Sequence, residues 1–301
     1  MRSLIVMHPT HFFKYYTASV AKIVLATGRV RWSSPLLFND PFDCYFSLEP
    51  KFDFSACKEK HCERFLDLMF QVREPAFVPG NRFVPQLKAF RGIAHSKGRA
   101  EMGSIFQDTY PEMVRGMEAI SQFVRTSWER EIADYRLFCV CEINDNLLLW
   151  AQYTACHTGA VFQFECIEEL DTALLVAKPV RYADEAPGFV NEEEWIQGGL
   201  GLRAIDQDND VWMRLVTTKA RVWEHEKEWR VISKRRPYEN QGYEDCTFVP
   251  REISKVFLGC RICQDDKEDI LRLITGPFAH VEVYQAKQNP KMFRLDFERI
   301  R

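Results

Sequence analysis

The chain has 301 residues, 46% of them hydrophobic, so it can bury a sizeable core and is not a disordered polypeptide. A formal net charge of −3 argues against a general nucleic-acid coat or a membrane-surface module, though not against a local basic patch. No run approaches the roughly 18 apolar residues of a membrane span, and the start, MRSLIVMHPTHFF, does not read as a secretory signal. A cytoplasmic protein without membrane contact is expected. Ten cysteines in a chain of this length do not make a disulfide framework, and Cys260-Arg-Ile-Cys263 lacks a second paired half, so no structural zinc is expected.

Along the chain, HFFKYYT reads as an extended aromatic segment. ASVAKIVLATG carries helical spacing up to a stop at Gly28. RVRWSSP alternates like a strand, and LLFNDPFDCYF is a loop turned by Asn39-Asp40-Pro41. Residues 53–133 change character: apolar side chains recur at i, i+3, i+4 with charge opposite, which predicts two to four amphipathic helices forming an insertion. From Tyr135 strands return. YRLFCVCEI and GAVFQFE are strands flanking a helix in NDNLLLWAQYTACHTG, followed by an acidic, glycine-containing segment around 183–210. WRVISK, ISKVFLGC, HVEVYQA and KMFRLDFERI are further strands, with a helix at DDKEDILRLIT. The expectation is an α+β fold in one domain spanning 1–301, with 53–133 inserted in it.

Three polar clusters could carry chemistry. KARVWEHEKEWRVIS (219–233), read as a strand, places Glu224, Glu226, Glu228 and Arg230 on one face, with Trp223, His225, Lys227 and Trp229 on the other. It is either a solvated edge protected by its charges or a carboxylate site with Arg230 holding a neighbour ionised. WAQYTACHTG, as a helix, aligns Trp150, Tyr153 and His157 on one face, either as packing residues or as part of a site. RWSSPLLFNDPFDC sets Ser33, Ser34, Asn39, Asp40 and Asp43 in an aromatic frame, fit for a phosphate or ribose or for self-capping turns. GxGxxG, Walker, GxSxG and HExxH motifs are absent.

The phrases FKYYT, VRWSSPLLFNDPFDC, LLWAQYTACHTGAVFQFE, WEHEKEWRVI and ISKVFLG, in this order, resemble the bacterial domain-of-unknown-function 2971 family. That layout in turn resembles a divergent ADP-ribosyltransferase with a split β-sheet core and a helical insertion. The resemblance implies an enzyme that uses NAD as co-substrate. It puts Lys14 and Tyr15 at the first family position, Ser33 or Ser34 at the second, and Glu226-x-Glu228 at the third; Lys14 stands where the superfamily has His or Arg. On this reading Glu228 steadies the ribosyl cation and Glu226 orients the acceptor. Arg230 or Trp229 fixes the surroundings of Glu228, Tyr15 or Tyr153 stacks on nicotinamide while Ser33 or Ser34 holds its ribose, and Asn39, Asp40 and Asp43 shape the pocket or simply stabilise the loop. The acceptor would be a macromolecule, RNA or protein. The resemblance also suggests a toxin or phage-defence effector with an antitoxin or regulator protein as partner. A non-catalytic nucleotide- or partner-binding module and a metal-dependent nuclease using Asp40, Asp43 and the glutamates are the alternatives.

Overall fold

The computed structural model describes residues 7–45, 51–188, 190–203 and 209–301. The first six residues, Phe46 of the aromatic loop and residues 189 and 204–208 of the acidic segment lie outside them. In chain order the elements are β1 (His11–Tyr16), α1 (Ala18–Thr27), β2 (Arg29–Ser33), then the helices α2 (Phe54–Phe70), α3 (Val84–Lys97) and α4 (Arg99–Glu131). Next come β3 (Tyr135–Cys141), α5 (Leu147–Tyr153), β4 (Ala160–Glu165) and the short β5 (Lys178–Pro179) and β6 (Arg181–Ala183), followed by α6 (Glu192–Gly199) and α7 (Asn209–Val216). The remainder is β7 (Thr218–Ala220), β8 (Glu228–Lys234), β9 (Tyr243–Thr247), β10 (Ile253–Leu258), α8 (Gln264–Leu273), β11 (Glu282–Gln288) and β12 (Leu295–Arg299). The fold is therefore mixed α+β, and no helix among the described residues is long and apolar enough to cross a membrane.

The chain divides into two compact units. One comprises 1–43, 132–184 and 219–301; the other comprises 44–131 and 185–218. The second is helical. Its α2, α3 and α4 are the amphipathic helices expected from the spacing, and α6 belongs with them, opened by Asn191 in a capping box with Glu194. At its centre His61 is fully buried among Phe106, Tyr110 and Trp195, and burial holds its imidazole down to about 4.

The first unit is built on a ten-stranded, mostly antiparallel sheet ordered β12-β11-β10-β4-β1-β3-β2-β9, with β8 paired to β3 and β5. Among its described pairings only β10 and β11 run parallel. Period-two alternation sorts its side chains. Phe12, Phe138, Val140, Phe162, Trp229 and Val231 pack into the main core, to which α1 and α8 contribute Val24 and Ile270. Phe13, Tyr15, Val161 and Phe257 join Leu149 and Trp150 of α5 in a second cluster. α1 begins at Thr17, whose hydroxyl accepts from the Val20 amide, and ends at Gly28 in the left-handed region (φ 62°), as the sequence indicated.

The sheet forks at β3. β8 covers one edge of β3 from Tyr135↔Lys234 to Cys141↔Glu228. The other edge is shared: β1 joins it at Phe13↔Cys141 and β2 at Ser33↔Leu137. Between those two points the Cys139 carbonyl has no strand partner, and the Lys14 ammonium donates to it at 2.5 Å. A buried carbonyl must be satisfied, and here a side chain does what a neighbouring strand would otherwise do.

Two glycines, one just before β4 and one just after β10, permit a close backbone approach. A Cβ at Gly159 would stand 2.0 Å from the Tyr16 carbonyl oxygen, and one at Gly259 2.1 Å from that of His157. Gly159→Ala is expected to destabilise the protein by roughly 3 kcal/mol, as overpacking against unyielding backbone does. Urea unfolding of the two proteins checks it; an unchanged midpoint would contradict the close approach.

Candidate functional site

The stretch expected to be one strand over 219–233 is not one. Arg221–Glu226 forms a 3-10 turn, Lys227 takes the left-handed region (φ 46°), and β8 starts only at Glu228. The reason lies in the partner: β3 ends at Cys141, opposite Glu228, so the residues before Glu228 have no ladder to join. Their backbone is met otherwise. The Asn146 amide donates to the His225 carbonyl at 2.7 Å and the Glu142 N–H to that of Lys227 at 3.2 Å. The turn separates the three glutamates. Glu224 is exposed, while Glu226 and Glu228 fold back together and are only 3% and 5% exposed. The solvated-edge reading fails for that pair.

What gathers them is Lys219, a residue the sequence did not single out. Its ammonium, on a side chain 6% exposed, lies 2.5 Å from Glu226 Oε2, 2.9 Å from Glu228 Oε2 and 3.6 Å from Asp43 Oδ2. Arg230, fully buried, donates its Nε to Glu228 Oε1 at 2.8 Å and a terminal nitrogen to Glu228 Oε2 at 3.1 Å and to Asp43 Oδ2 at 2.7 Å. Burial works to raise the Glu228 carboxyl, but Arg230 and Lys219 outweigh it and hold the group well below the usual range. Burial likewise works to lower Lys219, and Glu228, Glu226 and Asp43 outweigh it, so its ammonium is held charged above its ordinary value.

The acceptor count differs between the two glutamates. Glu228 takes the three hydrogen bonds just named plus the Cys139 thiol, which fills the roughly four positions a carboxylate offers. Among the described residues Glu226 takes one donor per oxygen: the Tyr153 hydroxyl on Oε1 at 2.7 Å and Lys219 on Oε2. It keeps acceptor capacity.

Both face a cavity of about 450 Å³, a size typical of small-molecule sites. Of the residues expected to bind a cofactor, Lys14, Tyr15, Ser33, Asn39 and Tyr153 line it, together with Arg31, Phe38, Asp43, Cys139 and Cys141. Tyr15 donates its hydroxyl to the Ile143 carbonyl and so presents a fixed ring. Lys14, alternating with Phe12 and Tyr16, leaves β1 on the core face, passes the Phe138 ring, and reaches the cavity only through the fork. Burial pushes the Cys139 and Cys141 thiols up, so both remain protonated.

Four expectations need correction. Ser34 does not line the cavity; its hydroxyl caps the 3-10 turn Pro35–Leu37 by accepting from the Leu36 amide. Asp40 does not line it either and accepts from the Phe42 amide in a local turn, the behaviour of Asp beside proline. His157 is not on a helix with Trp150 and Tyr153: α5 ends at Tyr153, and Ala155, Cys156 and His157 occupy the left-handed region. Arg230 is not among the residues lining the cavity either; it supports Glu228 through two hydrogen bonds.

The charge network fixes a pH dependence. Glu228, depressed in the folded protein, contributes stability that is complete above its ordinary value of 4.5 and is lost as pH falls through the folded value. Lys219, raised, contributes stability complete below its ordinary value of 10.5 and lost only as pH rises through the folded one. The stability gap between the wild type and Glu228→Gln is therefore expected to stay constant from neutral pH to about 5 and to narrow in more acid solution. Lys219→Met, which removes the shared cation, is expected to cost roughly 3–5 kcal/mol at pH 7. Denaturant titrations across pH read both; a gap that widens below pH 4.5 would refute the assignment of charge to Glu228.

No family model matches the chain, and no curated protein or solved structure matches it.

Proposed function

We propose that the protein is an ADP-ribosyltransferase that uses NAD as co-substrate, with the 450 Å³ cavity as its donor site. The observation that carries this reading is the pair Glu226 and Glu228: one carboxylate saturated and anchored by two cations, the other beside it with acceptor capacity left. Breaking the bond between ribose C1 and nicotinamide leaves a sugar cation related to that of glycoside cleavage. A fixed, partly dry carboxylate stabilises such charge far better than one in water, since it needs no reorganisation as the charge develops.

The acceptor count favours the reverse of the division of labour expected from the resemblance. Glu226 takes the ribose 2′-hydroxyl and steadies the cation. Glu228 is the anchor that, through Lys219, holds Glu226 in place. The Tyr15 and Tyr153 rings offer a surface for nicotinamide, and Ser33 and Asn39 offer hydrogen bonds at the rim. With Lys14 tied to the Cys139 carbonyl, its part is to keep the fork open rather than to grip a phosphate. A toxin or phage-defence role for such an enzyme, with a neutralising partner, has support from the resemblance alone.

The metal-dependent nuclease has less support. The point on which Asp43, Glu226 and Glu228 converge is taken by the Lys219 ammonium, and among the described residues no set of three or more His, Cys, Asp or Glu side chains is arranged to hold a metal ion.

The test is nicotinamide release from NAD. Glu226→Gln is expected to lower kcat by about 100-fold or more in protein that still unfolds cooperatively, with a smaller loss of stability than Lys219→Met because Glu228 and Asp43 still pair the ammonium. Absence of release by the wild type, or equal release by the variant, would overturn the reading.

A further inference from the structure

A second cavity, of about 590 Å³, takes Leu147 of α5 into its wall, whereas Gln152 and Tyr153 of α5 line the first. One wall is the β11–β12 turn. Asn289 holds that turn rigid: its side-chain oxygen accepts from the Lys291 and Met292 amides at 2.9 and 2.8 Å, and its own N–H donates to the Arg294 carbonyl at 3.1 Å. The turn thereby presents Phe293 fully exposed, with no described ring packed on it, beside exposed Lys291 and Arg294. The facing wall carries Arg261 and His157, pinned by the hydrogen bond from the Arg261 amide to the His157 carbonyl at 3.0 Å.

Charge in this cavity has one sign. Arg294 is shared with Asp296 at 3.2 Å, but neither Arg261 nor Lys291 has an ion-pair partner among the described residues. The buried Nδ1 of His157 also has no hydrogen-bond partner among the described residues. His157 stands there at a conformational cost, since it closes a run of three non-glycine residues with positive φ (50°, 60° and 69°). Basic side chains around a hollow, with an aromatic ring held out beside them by a stiff turn, match the combination that binds single strands: cations for phosphates and a π-face for a base.

We propose that this cavity binds a single-stranded nucleic acid, with phosphates at Arg261, Lys291 and Arg294 and a base stacked on Phe293. That the bound strand is also the acceptor of the transfer rests on the function proposed above; the binding itself does not.

Fluorescence anisotropy of a short labelled oligouridylate, measured without NAD across a range of salt, tests it. Binding is expected to weaken with salt with a log–log slope near −2, from three phosphate contacts at about −0.7 each. Arg261→Glu and Lys291→Glu should each flatten that slope by about 0.7, and Phe293→Ala should weaken binding by about five-fold or more with the slope unchanged. Glu226→Gln should bind the strand as the wild type does, so loss of nicotinamide release and loss of strand binding are read separately. No binding by the wild type, binding indifferent to the two charge reversals, or competition by heparin with no effect of Phe293→Ala would each overturn the proposal.

Discussion

The site hangs on one buried ammonium. Lys219 and Arg230 are taken out of water together with Asp43, Glu226 and Glu228, a transfer that costs several kcal/mol per ion and is offset only when every charge meets its opposites at close range. The distances meet that condition: Lys219 touches two carboxylates within 3 Å and Arg230 grips two from the other side. Such a network is weak evidence for stability, because well-packed apolar side chains of the same volume would serve the fold as well. Its consequence is geometric. Glu228 has no freedom left, and Glu226, tied to it through a shared cation, has little.

The sheet supplies the frame through its two unlike faces. In β8, Trp229 and Val231 enter the main core while Glu228 and Arg230 turn the other way, so the packing that stabilises the unit also fixes the direction of the charges. β3 repeats the division, with Phe138 and Val140 inward and Cys139 and Cys141 toward the cavity. The fork at β3 adds what a flat sheet lacks. By leaving the Cys139 carbonyl between β1 and β2 without a strand partner, it opens a passage through which Lys14 crosses from core to cavity.

Much of this was legible in the residues, and what was not has physical causes. Strand and helix periods placed β1, α1, β2, β3, β4 and the helices of 53–133, because a half-buried element must alternate with its own period. Glu226 and Glu228 were recognisable as unusual from the tryptophans around them. Lys219 was not, since lysine is almost always solvated and only the backward fold of the 3-10 turn brings carboxylates to it. The turn itself was hidden because Glu-x-Glu-x-Glu alternates as a strand does; the length of β3, a distant segment, decides where the pairing stops. Ser34 and Asp40 carried the composition of a ligand loop but the local bonding of caps, two uses of the same side chains that composition does not separate.

The roles proposed for the two glutamates follow from lone pairs rather than from burial. A carboxylate whose acceptor positions are all taken by protein donors can shape a field but cannot accept a substrate hydroxyl without first giving up a cation, and giving up Arg230 or Lys219 in a nearly dry site would leave that cation uncompensated. Glu226 faces no such penalty, because one oxygen is held by a neutral tyrosine hydroxyl and further acceptor positions are open to the cavity. The group whose acceptor positions are filled is thus the support, and the group beside it is the one free to act.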